Sequence, residues 1–473
     1  MAAYEHTPMT RLYSFAVALI LLTLSSACAQ PRLSGGDDGS IYSTSVQPIL
    51  DAKCASCHDG SDQAPAHLGL NSWANVLAGS RFGEAVIPFD AGNSVLVEIV
   101  EKLQGVPHPT TPGTAALSQS EVGRIKDWIN SGAASPDGII AGANSQDLVY
   151  VANQADASVY VIDAHSNNVV RTIDLQKLGY SANAKPHHIA VEKDGSFWYV
   201  SMIVENRVLK FNRQNELVGS VEFQVPGLLT LDPDSDRLFV GRSMAAVNPP
   251  QSIGMISRSD MSLEEISVFH PRPHAIILDP EGEYVYSGSL GENRLMVVDV
   301  STGDGTVHLL DGPTHTLVQF AITPDRKTMI VGGQLTGKLF FFDASNPPEL
   351  PIKKIIDVNA APWHPSISAD SEMAYFGNKM ANSVTVVNMQ SMSVVDIIEG
   401  NGLSQPHGSA LSRNGRFLYI TGNNLKGAYT PRHDFGDNEK PGTVVVIDTE
   451  SHEIVKVLEV GAHAAGVATR PVE

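Results

Sequence analysis

A segment of about 45 residues recurs through the C-terminal part of the chain, and this repeat is the strongest constraint on the fold. Each copy has an apolar strand, an Asp-Gly-type turn, a second strand of Tyr-Val type and a third strand ending in Asp or Asn. The third strand reads SVYVID from Ser158, RLMVVD from Arg294, KLFFFD from Lys338 and TVVVID from Thr443. Repeats of this length and composition are typical of β-propeller blades.

The strands at the two ends of the repeat array predict a closed ring. The array starts with a second strand, Leu148–Asn153, and ends with a first strand at residues 466–470. Pairing of these two strands would complete one blade and leave no open sheet edge. The predicted fold is an all-β seven-bladed propeller over residues 145–473, which follows a linker over residues 135–144.

Seven histidines lie near one position of the repeat, at or shortly before the first strand of a blade. They are His187, His188, His274, His315, His364, His407 and His463. First strands line the central channel of a propeller, so these imidazoles are predicted to converge there. The pattern is weakest in blade two, which has Gly227 at this position, and at His315, which lies furthest from its strand.

An all-imidazole set of this size indicates a metal centre. Many protonated imidazoles in one channel would repel one another, and a metal removes that repulsion by binding the neutral forms. Imidazole suits zinc, copper, iron and nickel, but three histidines around one zinc would use less than half of the set. The pattern favours a polynuclear copper cluster, which would use all seven histidines.

A C-x-x-C-H motif formed by Cys54, Cys57 and His58 predicts one covalently bound haem c. The two thiols would form thioethers to the haem, and His58 would be the proximal iron ligand. In addition, Ser118 and Glu121 have the spacing of a capping box at the start of a terminal helix.

The sixth iron ligand is predicted to be histidine. The motif resembles that of small cytochrome c domains, which usually supply a methionine ligand from a Met-Pro segment before the last helix. No Met occurs between Met9 and Met202, and the equivalent segment here reads V-P-H-P around His108. His108 is therefore the predicted distal ligand, with His67 or an open sixth position as alternatives. A bis-His iron has a lower potential than a His/Met iron.

Net charge and the N-terminus restrict the environment of the protein. A net charge of −19 argues against nucleic acid and anionic membrane surfaces as partners. Residues 1–29 predict an export signal, because Arg11 precedes an apolar run too short for a comfortable membrane span. Cleavage after Ala29 and lipid attachment at Cys28 fit equally well, and residues 30–40 would then form a tether. The predicted location is the periplasm, with a lipid anchor as one of the two routes.

Two parts of the chain resemble known families. The YVAN and SVYVID segments between Tyr150 and Asp163 are similar to YVTN-repeat, lactonase-like propellers, which implies fold rather than function. The segments PILDAKCASCHDG, AGNSVLVEIVEKL and LSQSEVGRIKDWINSGA resemble small cytochrome c domains fused to larger exported proteins. This resemblance implies a small all-α cytochrome c domain over residues 41–134.

The histidine set resembles the catalytic copper–sulfide centre of nitrous oxide reductases. That centre is held by seven histidines, including one adjacent pair, in the channel of a seven-bladed propeller. His187 and His188 match the pair, and the other five match in number and in coming from separate blades. The chain lacks the cupredoxin-type copper domain of those enzymes, so haem c would receive the electrons from a periplasmic donor. It would pass them to the copper centre either within one chain or across a homodimer. The resemblance implies an exported oxidoreductase with a small-molecule substrate, nitrous oxide first.

Two further residues are predicted to act on the substrate. Lys379 lies in a loop on the histidine face, where its charge could stabilise a bound oxyanion-like substrate. His433 lies in a long loop over residues 422–442, and this loop and the loop over residues 242–253 are lid candidates.

Other functions stay open at the level of sequence. A nitrite-reductase-type oxidoreductase would carry a non-covalent haem in its channel, usually in an eight-bladed propeller. A non-catalytic electron-transfer or scaffold cytochrome would not need the channel histidines. A lactonase would not need the haem.

Overall fold

The computed structural model describes residues 40–102, 116–358, 361–431 and 440–472, which belong to one compact unit. The predicted export signal, nearly all of the tether, His108 and His433 lie outside the described residues. None of the described helices is long and apolar enough to cross a membrane.

The described residues before 131 form a helical segment. Its α-helices are α1 (Gln47–Lys53), α2 (Trp73–Ala78), α3 (Val95–Lys102) and α4 (Gln119–Asn130). A π-helical turn, Tyr42–Val46, leads into α1, and a 3-10 turn, Pro65–His67, precedes α2.

The predicted capping box at the start of α4 is confirmed. Ser118 Oγ accepts a hydrogen bond from the backbone N–H of Glu121, and the Glu121 carboxylate accepts one from the backbone N–H of Ser118. The same carboxylate lies 2.8 Å from Lys53 Nζ, a contact that ties α1 to α4. Hydrogen bonding from Lys53 lowers the pKa of Glu121 to about 2. Beneath this contact, Leu50, Ile125 and Trp128 are buried in one apolar core.

From residue 148 onward the described chain forms seven antiparallel sheets of four strands each. The first three strands belong to the closing blade, blade seven, and are β1 (Leu148–Asn153), β2 (Ser158–Asp163) and β3 (Asn168–Asp174). Blade one contains β4 (Pro186–Val191), β5 (Phe197–Met202), β6 (Arg207–Asn212) and β7 (Leu217–Glu222). Blade two contains β8 (Pro226–Leu231), β9 (Arg237–Arg242), β10 (Ser252–Ser257) and β11 (Leu263–Ser267). Blade three contains β12 (Pro273–Leu278), β13 (Tyr284–Ser289), β14 (Arg294–Asp299) and β15 (Gly305–Leu309).

The remaining blades follow the same order. Blade four contains β16 (Leu317–Ile322), β17 (Thr328–Gly333), β18 (Lys338–Asp343) and β19 (Ile352–Asp357). Blade five contains β20 (Pro362–Ile367), β21 (Met373–Asn378), β22 (Ser383–Asn388) and β23 (Ser393–Glu399). Blade six contains β24 (Pro406–Leu411), β25 (Phe417–Gly422), β26 (Pro441–Asp448) and β27 (Ile454–Ala462). The last strand is β28 (Ala464–Ala468).

The ring closes where β28 pairs with β1, so blade seven is built from both ends of the propeller sequence. Val151 lies opposite Val467, and Tyr150 lies opposite Ala468. The predicted seven-bladed propeller and its closure are confirmed. The closing strand begins two residues earlier than predicted, at Ala464 instead of residue 466.

The inner strands begin with a shared backbone geometry. The residue before each of them has a positive φ, between 49° and 58°: Lys185, Val225, Arg272, Thr316, Ala361, Gln405 and His463. In blades one to six a register shift follows within the first four strand residues, as between Pro186 and Ile189 or between Pro406 and Ser409. A β-bulge re-aims the side chains beside it. The bulges therefore determine which side chains enter the channel.

The helical segment packs on the outer strands of blades seven and six, next to the closure. Asn168 in β3 donates hydrogen bonds to the carbonyls of Leu77 and Ala78, at 3.2 and 3.0 Å. Glu84 accepts from the backbone N–H of Val169 at 3.3 Å, and burial raises the pKa of this carboxyl. Lys456 in β27 bonds to Asn168 Oδ1 at 2.5 Å. The segment that carries the C-x-x-C-H motif is thus fixed against the propeller.

Candidate functional site

The bulges bring five of the seven predicted histidines together. His187, His274 and His407 are the second residues of their inner strands, and His188 and His364 are the third residues. The ring centroids of His364 and His407 are 4.9 Å apart, those of His187 and His407 5.4 Å, those of His188 and His364 5.9 Å, and those of His187 and His274 6.2 Å. We call these five residues the channel cluster.

His463 lies at the edge of the channel cluster. It is the positive-φ residue before β28, is half-buried, and interacts electrostatically with His187 and His407. It therefore approaches the cluster from the turn, whereas the five cluster members extend from strands.

His315 has a different environment, and its predicted role as a metal ligand does not fit that environment. It lies one residue before the positive-φ turn residue Thr316, too far upstream to share the strand positions of the cluster. Its Nε2 donates to the carbonyl of Asp311 and its Nδ1 accepts from the hydroxyl of Thr336, both at 2.9 Å. The ring also packs on Phe340, with centroids 4.7 Å apart. Because both ring nitrogens are satisfied within the protein, the structure gives His315 a structural role.

Three ring nitrogens of the channel cluster are buried without a hydrogen-bond partner among the described residues. They are His187 Nε2, His364 Nε2 and His407 Nδ1. An unpaired buried polar atom costs about 1–3 kcal/mol, so such atoms are rare unless they serve a ligand. His274 offers a further nitrogen that could bind a metal ion. Its Nδ1 donates a hydrogen bond to the Arg242 carbonyl at 2.9 Å, so its Nε2 keeps a lone pair.

Burial keeps these histidines neutral. Removal from water is the largest effect, and it holds the pKa values of His187, His364 and His407 well below the usual range. The positive charges of neighbouring histidines and of Lys379 lower these pKa values further. Desolvation lowers the pKa of His188 to about 3, and those of His274 and His463 to about 4. Neutral imidazoles are the form that binds metal ions.

We expect the metal-free protein to lose stability as the pH falls from 7 to 4.5. The folded-state pKa values lie below the ordinary value of 6.5, so below that pH the unfolded chain takes up protons that the folded channel excludes. Each histidine held neutral contributes a loss of about 1.4 kcal/mol per pH unit in this window. Urea unfolding at several pH values measures the slope, and His274→Gln should reduce it by about one such contribution. An unfolding free energy that does not change over this range would contradict the expectation.

Lys379 lies close enough to the channel cluster to interact electrostatically with His187, His364 and His407. It directly follows β21, and its Nζ lies 3.8 Å from the ring centroid of Trp363. Burial lowers the pKa of Lys379 to about 8.

Trp363 occupies the strand position that holds histidine in blades one, three and six. Its ring centroid lies 5.3 Å from that of His407. We did not predict Trp363, although an aromatic residue at a histidine position of the repeat was a usable signal.

Blade two cannot place a histidine at this strand position. A Cβ atom on Gly227 would lie 2.6 Å from the carbonyl oxygen of Arg242, so any side chain there would collide with the backbone. The same Arg242 carbonyl orients His274 in the next blade. The absence of a histidine from this position in blade two thus has a backbone cause.

The C-x-x-C-H motif forms a turn directly after α1. The backbone N–H groups of Cys57 and His58 both donate to the Cys54 carbonyl, at 3.1 and 3.0 Å. Both cysteines are free thiols; Cys57 is exposed, and Cys54 packs half-buried on an apolar cluster that includes Leu68 and Trp73. Two free thiols beside apolar side chains fit covalent attachment of haem. His67 is exposed on the 3-10 turn.

The spacing of the channel cluster fits pairs of ligands better than a trio. Among the described residues, no three His, Cys, Asp or Glu side chains are placed to hold one ion together. Two imidazoles bound to one ion, with nitrogens about 2.0 Å from it, have ring centres roughly 5 Å apart. The pairs formed by His407 with His364 and with His187 have this spacing, at 4.9 and 5.4 Å.

Comparison with known proteins supports the fold. A protein of unknown function from Desulfotomaculum acetoxidans has a TM-score of 0.55 and 15% identity, covering 69% of this chain and 100% of its own. A protein assigned as a 6-phosphogluconolactonase from Bacteroides fragilis has a TM-score of 0.52 and 12% identity, covering 70% of this chain and 99% of its own. The chain is a β-propeller with lactonase-like structural neighbours. No family model and no curated protein matches it, and at these identities the likeness concerns fold alone.

Proposed function

We propose that this protein is an exported reductase that reduces nitrous oxide at a copper centre in the propeller channel, with electrons entering through haem c. The observation that carries the proposal is the channel cluster: five neutral imidazoles from four blades, with three buried nitrogens that have no partner among the described residues.

The donor set favours copper in a cluster. It contains only imidazoles, which argues against the thiolate sites typical of structural zinc, and the spacing of its pairs suits ions that each take two protein ligands. His187, His188, His274, His364 and His407 would hold the cluster, with His463 at its edge. Sulfide from outside the protein would supply the remaining donors to such ions. When bound, this centre supplies two electrons to the substrate at one place.

The reaction consumes two electrons and two protons and converts nitrous oxide to dinitrogen and water. Negative charge builds on the departing oxygen, and a fixed cation beside it stabilises that charge most effectively in a site with little water. Lys379, held over Trp363, is the proposed cation. The Trp363 face would give the apolar remainder of the substrate a wall to lie against.

The proposed electron entry is a haem attached to Cys54 and Cys57 with His58 on the iron, supplied by a periplasmic donor. His108 remains the proposed distal ligand, and His433 remains a proposed lid residue. Export to the periplasm, with a cleaved signal or a lipid anchor, agrees with this chemistry because c-type haem is attached outside the cytoplasm.

Metal analysis tests the proposal. Protein matured in a copper-replete periplasm should contain at least two copper ions per chain, with sulfide, and should consume nitrous oxide when a low-potential dye supplies electrons. Protein from the same host grown without copper serves as the control and should be inactive. Fewer than two copper ions per chain in the copper-replete protein would overturn the cluster.

A further inference from the structure

Trp363 has a buried indole N–H without a hydrogen-bond partner among the described residues. The chain has four tryptophans, and the other three all donate to the protein. Trp73 donates to the Ala133 carbonyl at 2.8 Å, Trp128 to the Ala134 carbonyl at 2.9 Å, and Trp198 to Asn215 Oδ1 at 3.2 Å. An indole nitrogen can donate but cannot accept, so Trp363 needs an acceptor that the described residues do not provide.

The ammonium group of Lys379 also needs an acceptor. Its Nζ lies 3.8 Å from the ring centroid of Trp363, so the cation and the unpaired N–H belong to one contact. The ring face engages one side of the ammonium, which has three N–H donors. Among the described residues, Lys379 makes no hydrogen bond and no ion pair. Buried lysines are normally paired with an acid, so a half-buried lysine without one is unusual.

The surroundings of Lys379 leave its charge unbalanced. It interacts electrostatically with five histidines, which are His187, His274, His364, His407 and His463. Burial alone lowers its pKa, and no carboxylate among the described residues raises it. The whole chain has 51 acidic and 32 basic residues, so this place differs in sign from the rest of the molecule. A local positive charge beside unsatisfied N–H donors is the combination that binds an anion.

We propose that Lys379 and Trp363 form a binding site for a small monovalent anion beside the channel cluster. The ammonium supplies one positive charge, which balances one negative charge, and the Trp363 N–H supplies a second, directional donor. Trp363 is 2% exposed, so the anions that fit its N–H are small ones such as azide, nitrite or formate. The site goes beyond the proposed copper centre and does not depend on it, because neither Lys379 nor Trp363 is a proposed copper ligand.

Nitrogen-15 labelling of tryptophan gives one indole N–H signal for each of the four residues, and these signals test the site directly. Full-length, copper-free protein is titrated with sodium azide near pH 7 at constant ionic strength, and separately with sodium benzoate as a larger anion of the same charge. We expect azide to shift the Trp363 signal until the site is saturated. The signals of Trp73, Trp128 and Trp198 should stay in place, because their N–H groups already donate within the protein. Benzoate should leave all four signals unchanged.

Two lysine variants test the charge. Lys379→Met removes the ammonium and keeps an unbranched side chain, and it should weaken azide binding roughly 10-fold or more. Lys426→Met is the matched control, because Lys426 is exposed in the loop after β25, the counterpart in blade six of the loop that holds Lys379. It removes the same charge from the same face and should change azide affinity by less than about twofold, since solvent and salt screen an exposed charge. Trp363→Phe keeps an aromatic ring, removes the N–H and assigns its signal.

A Trp363 signal that azide does not move overturns the inference. Equal shifts of all four signals would do the same, as would equal azide affinities of the wild type and Lys379→Met or a response to benzoate as strong as that to azide. The wild-type titration needs no variant, so it remains decisive if Lys379→Met fails to fold, and a single moving indole signal then supports the site. Copper takes no part in these measurements, so their outcome is separate from that of the proposed copper centre.

Discussion

Replacing His364 and His407 together by alanine should remove the proposed copper centre and lower the proposed kcat/KM for nitrous oxide by roughly 1000-fold or more. Their rings are the closest pair of the channel cluster, 4.9 Å apart, and each has a buried nitrogen without a partner among the described residues. They come from the adjacent blades five and six, so the double variant removes one imidazole from each of two blades. Copper per chain and the rate of nitrous oxide consumption measure the effect.

His315→Ala is the matched control for this experiment. His315 is as buried as the cluster histidines and also lies at the start of an inner strand, but its two nitrogens bond to Thr336 and Asp311. This variant should keep the proposed copper and activity and lose about 1–3 kcal/mol of unfolding free energy, because the half-buried Thr336 hydroxyl and the Asp311 carbonyl lose their partner and Phe340 loses the ring packed on it. Loss of copper in His315→Ala with retention in the double variant would show that the wrong histidines have been assigned to the site.

The fold could be predicted from the sequence because the signals that specify a blade are local. The Asp that ends a third strand is one example: Asp163 accepts from the backbone N–H of Ser166, and Asp299 from that of Thr302, at 3.3 and 3.1 Å. These bonds turn the chain into the outer strand, so the residue type marks the same corner in successive repeats. Closure followed from counting strands, since a first strand at the end of the array has only β1 left to pair with.

The candidate site could be predicted only in part. The sequence pattern places the histidines near one position of the repeat. In the structure they occupy the second residue of an inner strand, the third residue, or the turn before the strand. His463 therefore lies at the edge and His315 outside the cluster. Gln154 carried no local signal of its contact with His187, whereas Trp363 occupies a histidine position of the repeat, which was a usable signal. Gln154 meets His187 only because blade seven adjoins blade one in the closed ring, a contact made across 33 residues.

Replacing Cys54 and Cys57 together by serine should abolish turnover with a periplasmic donor, by roughly 1000-fold or more, while copper content stays normal. Serine cannot form the thioethers that would hold the proposed haem, so the proposed path for protein-supplied electrons would be lost. The channel cluster does not involve these residues, and a small reduced dye that reaches the channel should still support nitrous oxide reduction. The ratio of donor-driven to dye-driven activity is the quantity to measure.

Ser56→Ala is the control, because it changes an exposed residue between the two cysteines and keeps the attachment spacing. It should retain haem absorbance and both activities. The helical segment should remain folded in the double serine variant, since the Lys53–Glu121 contact and the bonds from Asn168 to Leu77 and Ala78 do not involve the thiols. Unchanged donor-driven activity without haem would remove haem c from the electron path. Loss of copper together with haem would instead mean that the helical segment is needed to build the channel centre.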